Sequence, residues 1–209
     1  MDRVYIIGIS VGLLLLIAFI IVMIVLGVFI SKRNLDKAKK NDDFENSVSE
    51  EIQKLLNENR TSKWIKPSMY KNTKTKSKFE LGNILVSRSS VFLFKLNYTD
   101  GGTIEGDGLE REWIIHSEKN NYTFPNAMIE LENDIKNLSS ILPPNVPVIG
   151  VIVFNKNTQP SIVNLPPYIL CLSVDRISEE IIEIQNKLHS MLDLENIENI
   201  VNVLVEYKQ

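Results

Sequence analysis

The segment "VFLFKLNYTDGGTIEG", residues 91–106, combines an apolar strand pattern with a turn signal directly after it. Successive side chains of a strand point to opposite faces, so Phe92, Phe94, Leu96 and Tyr98 are expected to share one face. The sequence Asp-Gly-Gly at 100–102 supplies the positive φ values that a tight turn needs. The segment therefore predicts a β-hairpin, whose first strand is either a catalytic strand or a core strand.

The sequence on both sides of this hairpin predicts a mixed α/β domain. Upstream, a short helix begins at Ser47 with capping-box spacing, and short strands joined by tight turns indicate an antiparallel meander. Downstream, a helix, two apolar strands and two further helices follow. The predicted elements are the helix "SVSEEIQKLL", the strands "FELGNILVS", "NVPVIGVIVF" and "PPYILCLSV", and the helices "PNAMIELENDIKNLSSIL", "EEIIEIQNKLHSML" and "ENIENIVNVLVEYK". This order predicts an α/β or α+β fold, a mixed sheet flanked by helices.

The N-terminal region predicts a membrane anchor. Residues 4–31 form a run of 28 residues without a charge, rich in Leu, Ile and Val. As a helix this run would be roughly 42 Å long, which exceeds the hydrocarbon core of a bilayer, about 30 Å thick. The run is longer than the apolar core of a signal peptide, and it lacks a small-residue cleavage site. Residues 1–31 are therefore predicted to be an uncleaved transmembrane anchor.

The charges after this run predict its orientation. Five basic residues lie between positions 32 and 40, and an excess of Lys and Arg marks the cytoplasmic end of a span. The expected topology is a single pass through the cell membrane with the N-terminus outside. Residues 32–46 are expected to form a polar linker or a solvated helix extension, and residues 47–209 the cytoplasmic domain.

Charge is unevenly distributed, although the net charge is only −3. Residues 60–78 hold seven basic residues and no acid, with Trp64 and Tyr70 among them, as a surface for nucleic acid or anionic lipid would. A solvated loop is the alternative interpretation. The last 35 residues hold eight acids and three bases, and their helices are candidates for docking a protein partner. The candidate nucleic-acid-binding residues are Arg60, Lys63, Lys66, Lys71, Lys74, Lys76 and Lys78.

The common catalytic signatures are missing from the sequence. It contains no phosphate-binding loop that ends in Lys-Ser/Thr, no CxxC, no HExxH and no GxSxG. The single cysteine, Cys171, lies in the apolar run "YILCL" and is expected to be a buried thiol rather than a nucleophile. Nothing in the sequence implies an organic cofactor, and none is expected.

From about residue 47 to residue 154 the chain resembles the NERD (nuclease-related) domain, which has the PD-(D/E)xK restriction-endonuclease-like fold. The matching pieces keep their order over more than 100 residues. They are "LGNILVSRSSVFLF", "NY" followed by "GTIEG", Trp113, "FPNAMIELENDIKNL" and "VPVIGVIVF". The resemblance implies a nuclease fold that acts through Mg²⁺. Some members of the family also carry an N-terminal membrane span.

The residues that carry the family's chemistry are replaced here. The family's Asp falls on Gly82, the Glu of its Glu-x-Lys pair on Phe94, and the Lys on Leu96. Asp and Glu would supply oxygen ligands to Mg²⁺, and the Lys would stabilise the charge that builds on phosphorus. Lys95 is expected to point to the opposite face of the strand. The resemblance therefore implies a nuclease relative that has lost its reaction and needs no metal.

Three functions remain open. The first is a membrane-anchored, catalytically inactive NERD-like domain that binds nucleic acid or another partner at the inner membrane face. The second is a divergent metal-dependent nuclease in which Glu80 and Glu130 replace the missing acids and hold one Mg²⁺. The third is a protein-interaction scaffold at the membrane, which would use the acidic C-terminal helices.

Overall fold

The computed structural model describes residues 3–73, 75–117, 120–188 and 192–209, and it describes only the backbone of residues 3–15, 17 and 18. The chain divides into two compact units, Met1–Asp43 and Phe44–Gln209. One helix, α1 (Arg3–Glu58), contributes to both. The predicted helix start at Ser47 is wrong, because α1 continues through this position. Residues 32–46, expected as a linker or a helix extension, are helical.

The first unit is a segment of α1 whose described side chains are exposed from Phe19 to Asp43. Within the part of α1 that is described with side chains, and in the other described helices, no stretch is long and apolar enough to span a bilayer. Much of the predicted anchor, residues 1–15 with 17 and 18, is not described at the level of side chains. The anchor thus stays a prediction that the structure does not support.

The second unit is a mixed α/β domain built on a five-stranded sheet. Its strand order is β1-β4-β5-β9-β11. The strands are β1 (Lys63–Ile65), β4 (Asn83–Val86), β5 (Val91–Asn97), β9 (Val148–Phe154) and β11 (Ile169–Ser173). Strand β4 is antiparallel to β1 and β5, whereas β9 runs parallel to β5 and β11. The apolar run in β9 is thus a central strand, as its sequence predicts.

Two smaller sheets complete the strands of this unit. A four-stranded sheet has the order β10-β6-β7-β8, and a two-stranded sheet pairs β2 with β3. Their strands are β2 (Ser68–Lys71), β3 (Lys78–Leu81), β6 (Gly102–Asp107), β7 (Glu112–His116), β8 (Asn121–Pro125) and β10 (Thr158–Val163). The single mixed sheet expected from the sequence is therefore divided. The predicted strand "FELGNILVS" breaks at Gly82 into β3 and β4.

Helices cover both faces of the five-stranded sheet. The C-terminal part of α1 and helix α3 (Ile177–Lys187) share one apolar cluster with the Phe92 and Phe94 face of β5. Helices α2 (Ala127–Ile141) and α4 (Leu194–Tyr207) share the other cluster with Leu93. Phe92, Phe94, Leu96 and Tyr98 do share one face, as their alternation predicts. Because both faces of β5 are buried, this strand is part of the core along most of its length.

The hairpin predicted for residues 91–106 is wrong. Gly101 and Gly102 do adopt positive φ angles of 92° and 113°. The chain nevertheless leaves the five-stranded sheet at this turn, and β6 pairs with β7 and β10 instead of β5. The place beside β5 goes to β9, whose apolar side chains suit a strand buried on both faces.

Candidate active-site cleft

A cleft of about 500 Å³ opens in the second unit, where β5 ends beside α1 and α2. It contains all three family positions as well as both acids that the sequence suggested as replacements. The lining residues are Glu45, Asn46, Val48, Ser49, Trp64, Lys66, Pro67, Glu80, Gly82, Asn83, Phe94, Lys95, Leu96, Glu130 and Asp134. Residues far apart in the sequence therefore meet where the family's active site is expected.

Gly82 lies directly before β4, against the neighbouring strand β5. A Cβ atom at this position would lie 2.4 Å from the main-chain oxygen of Phe94, far inside van der Waals contact. The obstacle is backbone, which cannot rotate away as a flexible side chain can. An Asp at this position would therefore need β4 and β5 to move apart.

Phe94 belongs to the core of the domain. Its side chain is 1% exposed and lies in the same cluster as Val48 and Ile52 of α1. The indole of Trp64 meets its ring edge to face, with ring centroids 5.2 Å apart. Leu96, two residues further along, is half-buried on the same face. The family's Glu and Lys positions thus hold apolar side chains that pack under α1.

The opposite wall of the cleft carries four charged side chains. Lys95 forms an ion pair with Glu130, Nζ to Oε1 at 2.5 Å, which joins β5 to the first turn of α2. Asp134 lies one helical turn after Glu130 and is half-buried. Burial raises the pKa of Asp134 to about 6, against the lowering effect of Lys95, and the charges of Glu130 and Glu80 raise it further. These groups form one electrostatic unit.

Sequence reasoning missed two members of this unit, Lys95 and Asp134. Lys95 does face away from Phe94, yet both residues line the cleft. The cleft lies along the C-terminal half of β5 and includes side chains from both faces of the strand, Phe94 and Leu96 from one and Lys95 from the other. The spacing of Glu130 and Asp134, four residues apart on a helix, was the signal available, since such residues share one helix face.

Asn126 fixes the helix that carries Glu130 and Asp134. Its Oδ1 accepts a hydrogen bond from the Met128 amide at 2.8 Å, which caps the N-terminus of α2. Its Nδ2 donates to the main-chain oxygens of Gly108, at 3.2 Å, and Glu110, at 2.7 Å. This one buried amide therefore ties α2 to the β6–β7 connection, and it positions the acidic wall of the cleft.

The cleft does not fit the family's Mg²⁺. The side chains of Gly82, Phe94 and Leu96 offer no oxygen ligand, and one of the two replacement acids, Glu130, is already paired with Lys95. Among the described residues, no three Asp, Glu, His or Cys side chains lie close enough together to hold a metal ion. Hard divalent cations require several converging oxygens, which this wall does not present.

The seven basic residues proposed for nucleic acid are divided among several places. Arg60 follows α1, Lys63 lies on the edge strand β1, and Lys66 lines the cleft. Lys71 and Lys78 lie on the β2–β3 hairpin with Lys76 in its turn, whereas Lys74 is outside the described residues. The six described residues of this set therefore lie in different elements of the domain.

The aromatic residues within the basic segment do not form a stacking platform for bases. Tyr70 is fully buried in the core, where its ring stacks on Phe79 with centroids 6.2 Å apart. Trp64 is half-buried against Phe94. The expectation that both aromatics serve a nucleic-acid surface is wrong for Tyr70, because a strand alternates its faces and this one faces inward.

Two further features remain from the sequence. Burial raises the pKa of the Cys171 thiol to about 12, so this side chain is a poor nucleophile. The acidic helices α3 and α4 keep several exposed carboxylates, among them Glu179, Glu195 and Glu198. Glu180 pairs with Arg176, the residue directly before α3, and Glu183 pairs with Lys187 on α3 itself.

A comparison with protein families places the cleft in context. The model of the nuclease-related domain, NERD, matches residues 40–155, more than half of the 209 residues. No curated protein and no solved structure matches the chain. The family match extends from α1 to the end of β9, and every residue that lines the cleft lies within it. With its mixed α/β domain and a cleft at the family positions, the chain belongs to the NERD family of nuclease-related domains.

Proposed function

We propose that this protein is a membrane-anchored NERD-domain protein without hydrolytic activity, which binds a partner at the inner membrane face through its charged surfaces. The observation that carries the proposal is the state of the three family positions. Gly82 has no room for a side chain, and Phe94 is buried against Trp64 under α1. Metal-assisted hydrolysis needs ligands and a cation at these positions, and the chain provides neither.

A cleavage assay tests the loss of activity. The purified full-length chain is incubated with plasmid DNA and with RNA in the presence of Mg²⁺ or Mn²⁺. We expect no cleavage that separates from contaminating nuclease, because the electrostatic contributions that accelerate the reaction are absent. The Glu80→Gln and Glu130→Gln variants, purified in parallel, serve as controls. Cleavage that follows the protein through purification and disappears in either variant would refute the proposal.

A divergent nuclease is the second candidate, and one observation favours it. Glu80, Lys95, Glu130 and Asp134 line the same cleft, so acids and a lysine are present although they are displaced from the family positions. In this candidate Glu80 and Glu130 would be the acids, and Lys95 would stabilise developing negative charge. The candidate requires the Lys95–Glu130 ion pair to open. The cleavage assay decides between the two, since only this candidate predicts activity that depends on Glu80.

The membrane anchor is a separate part of the proposal. Its support is the uncharged run of 28 residues at 4–31 and the basic residues that follow it. We expect the full-length chain to remain with the membrane fraction after alkaline extraction. External protease should leave a C-terminal tag intact on spheroplasts. Release by alkali would contradict the anchor, and digestion of the tag would contradict the orientation.

A further inference from the structure

We infer that the turn end of the β2–β3 hairpin, formed by Lys71 and residues 75–78, binds the phosphate backbone of double-helical nucleic acid outside the cleft and without reading its bases. This inference rests on the proposed function, for which it names the binding element and the class of partner. The surface that contacts the polyanion is then distinct from the cleft, where the catalytic residues of active relatives are expected.

The first support is the arrangement of lysines on the hairpin. Lys71 lies directly opposite Lys78 in the antiparallel register, and Lys76 lies in the turn with a positive φ angle of 60°. Like charges placed opposite each other across two strands destabilise the pair. In the described part of the chain, neither Lys71, Lys76 nor Lys78 has a carboxylate at ion-pair distance. An external anion between these ammonium groups would relieve their repulsion.

The second support is the chemistry of the remaining hairpin groups. Thr73, Thr75 and Ser77 alternate with the lysines and are exposed, so the turn presents hydroxyls and ammonium groups. The aromatic side chains Tyr70 and Phe79 lie on the other face of the hairpin and join the core. Hydroxyl and ammonium donors suit phosphate oxygens, whereas stacking on bases needs exposed aromatic rings.

The amide of Asn72 does not supply base recognition either. Asn72 is 5% exposed, and its Nδ2 donates a hydrogen bond to Ser140 Oγ at 3.0 Å. Its Oδ1 accepts from the Thr75 main-chain amide at 3.2 Å. Bidentate contacts to base edges are made by Arg, Lys, Asn and Gln. The described hairpin presents none of the planar groups among these to solvent, and its exposed ammonium and hydroxyl groups are donors of the kind that contact phosphate oxygens.

The third support is the charge of the cleft. Glu45, Glu80, Glu130 and Asp134 line it together with only Lys66 and Lys95, so four carboxylates face two ammonium groups, an excess of two negative charges. A polyanion entering this space would meet net repulsion at short range, where screening by salt is weakest. Electrostatics therefore directs the phosphate backbone to the hairpin and away from the cleft.

Fluorescence anisotropy on the full-length protein in mild detergent tests this inference. The probes are two labelled DNA duplexes of unrelated sequence, titrated at several concentrations of NaCl. We expect both to bind within about twofold of each other, with a log–log salt slope near −3 when Lys71, Lys76 and Lys78 each meet a phosphate. A preference of tenfold or more for one sequence would refute base-independent binding.

Variants then locate the binding surface. Lys71→Glu/Lys78→Glu should weaken duplex binding at least about tenfold and make the salt slope shallower by about two. The milder Lys71→Gln/Lys78→Gln pair should lower affinity in the same direction, which covers the case in which charge reversal disturbs folding. Lys136→Glu/Lys156→Glu is the matched control, since both residues are exposed and lie outside the hairpin, and it should bind within about threefold of the wild type.

The cleft variants distinguish failure of the inference from failure of the proposed function. Neutralising the acids with Glu80→Gln/Asp134→Asn should leave duplex affinity unchanged or slightly higher. Loss of binding in Lys66→Glu but not in the hairpin variants would move the site into the cleft, and nucleic-acid binding would stand. Absence of duplex binding at the lowest salt, with binding to phosphatidylserine vesicles instead, would overturn nucleic acid as the partner altogether.

Discussion

Replacing Asp134 by Asn removes one charge from the crowded wall of the cleft while keeping the shape of the side chain. Burial, together with Glu130 and Glu80, raises the pKa of Asp134 from its ordinary value of 3.8 to about 6 in the folded protein, despite Lys95. A carboxyl whose folded pKa lies above its unfolded value binds a proton more tightly in the folded state. Its contribution to stability is therefore fully present below pH 4 and is lost as the pH rises through 6.

The magnitude follows from the size of the shift. A difference of about two pH units corresponds to roughly 3 kcal/mol at 1.36 kcal/mol per unit. Asp134 is only half-buried, and solvent screens part of this penalty, so a value of about 1–2 kcal/mol is the better expectation. The Asp134→Asn variant should consequently be more stable than the wild type by about 1–2 kcal/mol at pH 7.5. The two should be equally stable near pH 4.

Chemical denaturation followed by circular dichroism, repeated across this range of pH, measures the difference directly. The control is Glu110→Gln, an exposed carboxyl outside the cleft, for which we expect a change within about 0.5 kcal/mol at every pH. A constant difference between Asp134→Asn and the wild type would show that the amide acts through packing. A variant that is less stable at pH 7.5 would show that Lys95 compensates the charge of Asp134 completely, and the reasoning would be refuted.

Three further perturbations test how the cleft is built. Asn126→Ala should lower the free energy of unfolding, measured by urea denaturation, by about 2–3 kcal/mol, because it removes the cap of α2 and leaves the main-chain oxygens of Gly108 and Glu110 without their donor. A loss below about 0.5 kcal/mol would contradict this role. Gly82→Ala should cost about 1–3 kcal/mol because its Cβ would meet the main chain of Phe94, and an unchanged midpoint would show that β4 and β5 separate easily. Cys171 should react with a thiol reagent at pH 8 only after unfolding, because burial raises its pKa to about 12; rapid labelling of the native protein would contradict its burial.

Periodicity in the sequence predicted elements well where one pattern was strong. The helix at 127–141, the central strand β9 and the two final helices follow from apolar spacing alone. The strand β10, "TQPSIV", was missed because it has a Pro and alternating polar residues. It exists because its backbone pairs with β6 in parallel, and such a non-local partner cannot be read from the strand's own sequence.

The failure of the predicted hairpin has the same origin. Local signals correctly identified a strand, a glycine turn and a second strand in residues 91–106. Two strands, β6 and β9, could have paired with the free edge of β5. Strand β9 takes this place, and its mostly apolar residues pair with all seven residues of β5. The sheet topology of the domain thus depended on residues more than 50 positions downstream, beyond the reach of turn chemistry.

The sequence predicted which residues meet in the cleft better than it predicted the interactions among the charged side chains. The resemblance placed the family's catalytic positions at Gly82, Phe94 and Leu96, and the structure brings these three residues to one cleft. It could not show that Lys95 reaches the same cleft from the other face of β5. Strand β4 pairs with β5 only as far as Phe94, whereas β9 pairs with β5 as far as Asn97. Past Phe94, β5 is therefore paired on one side only, and Lys95 and Leu96 line the same cleft from opposite faces of the strand.

Packing opposes the family's residues at the positions that the resemblance assigns to them. An Asp in place of Gly82 would need β4 and β5 to move apart, and the ring of Phe94 packs against Trp64 of β1. A Glu in place of Phe94 would bury a carboxylate among Val48, Ile52 and other apolar side chains, at a cost of several kcal/mol. Restoring one catalytic residue at a time would therefore destabilise the domain before it restored a ligand. Return to the family's chemistry would require several coordinated changes in the backbone and the core, and for this reason the altered cleft is expected to be a stable state of the protein.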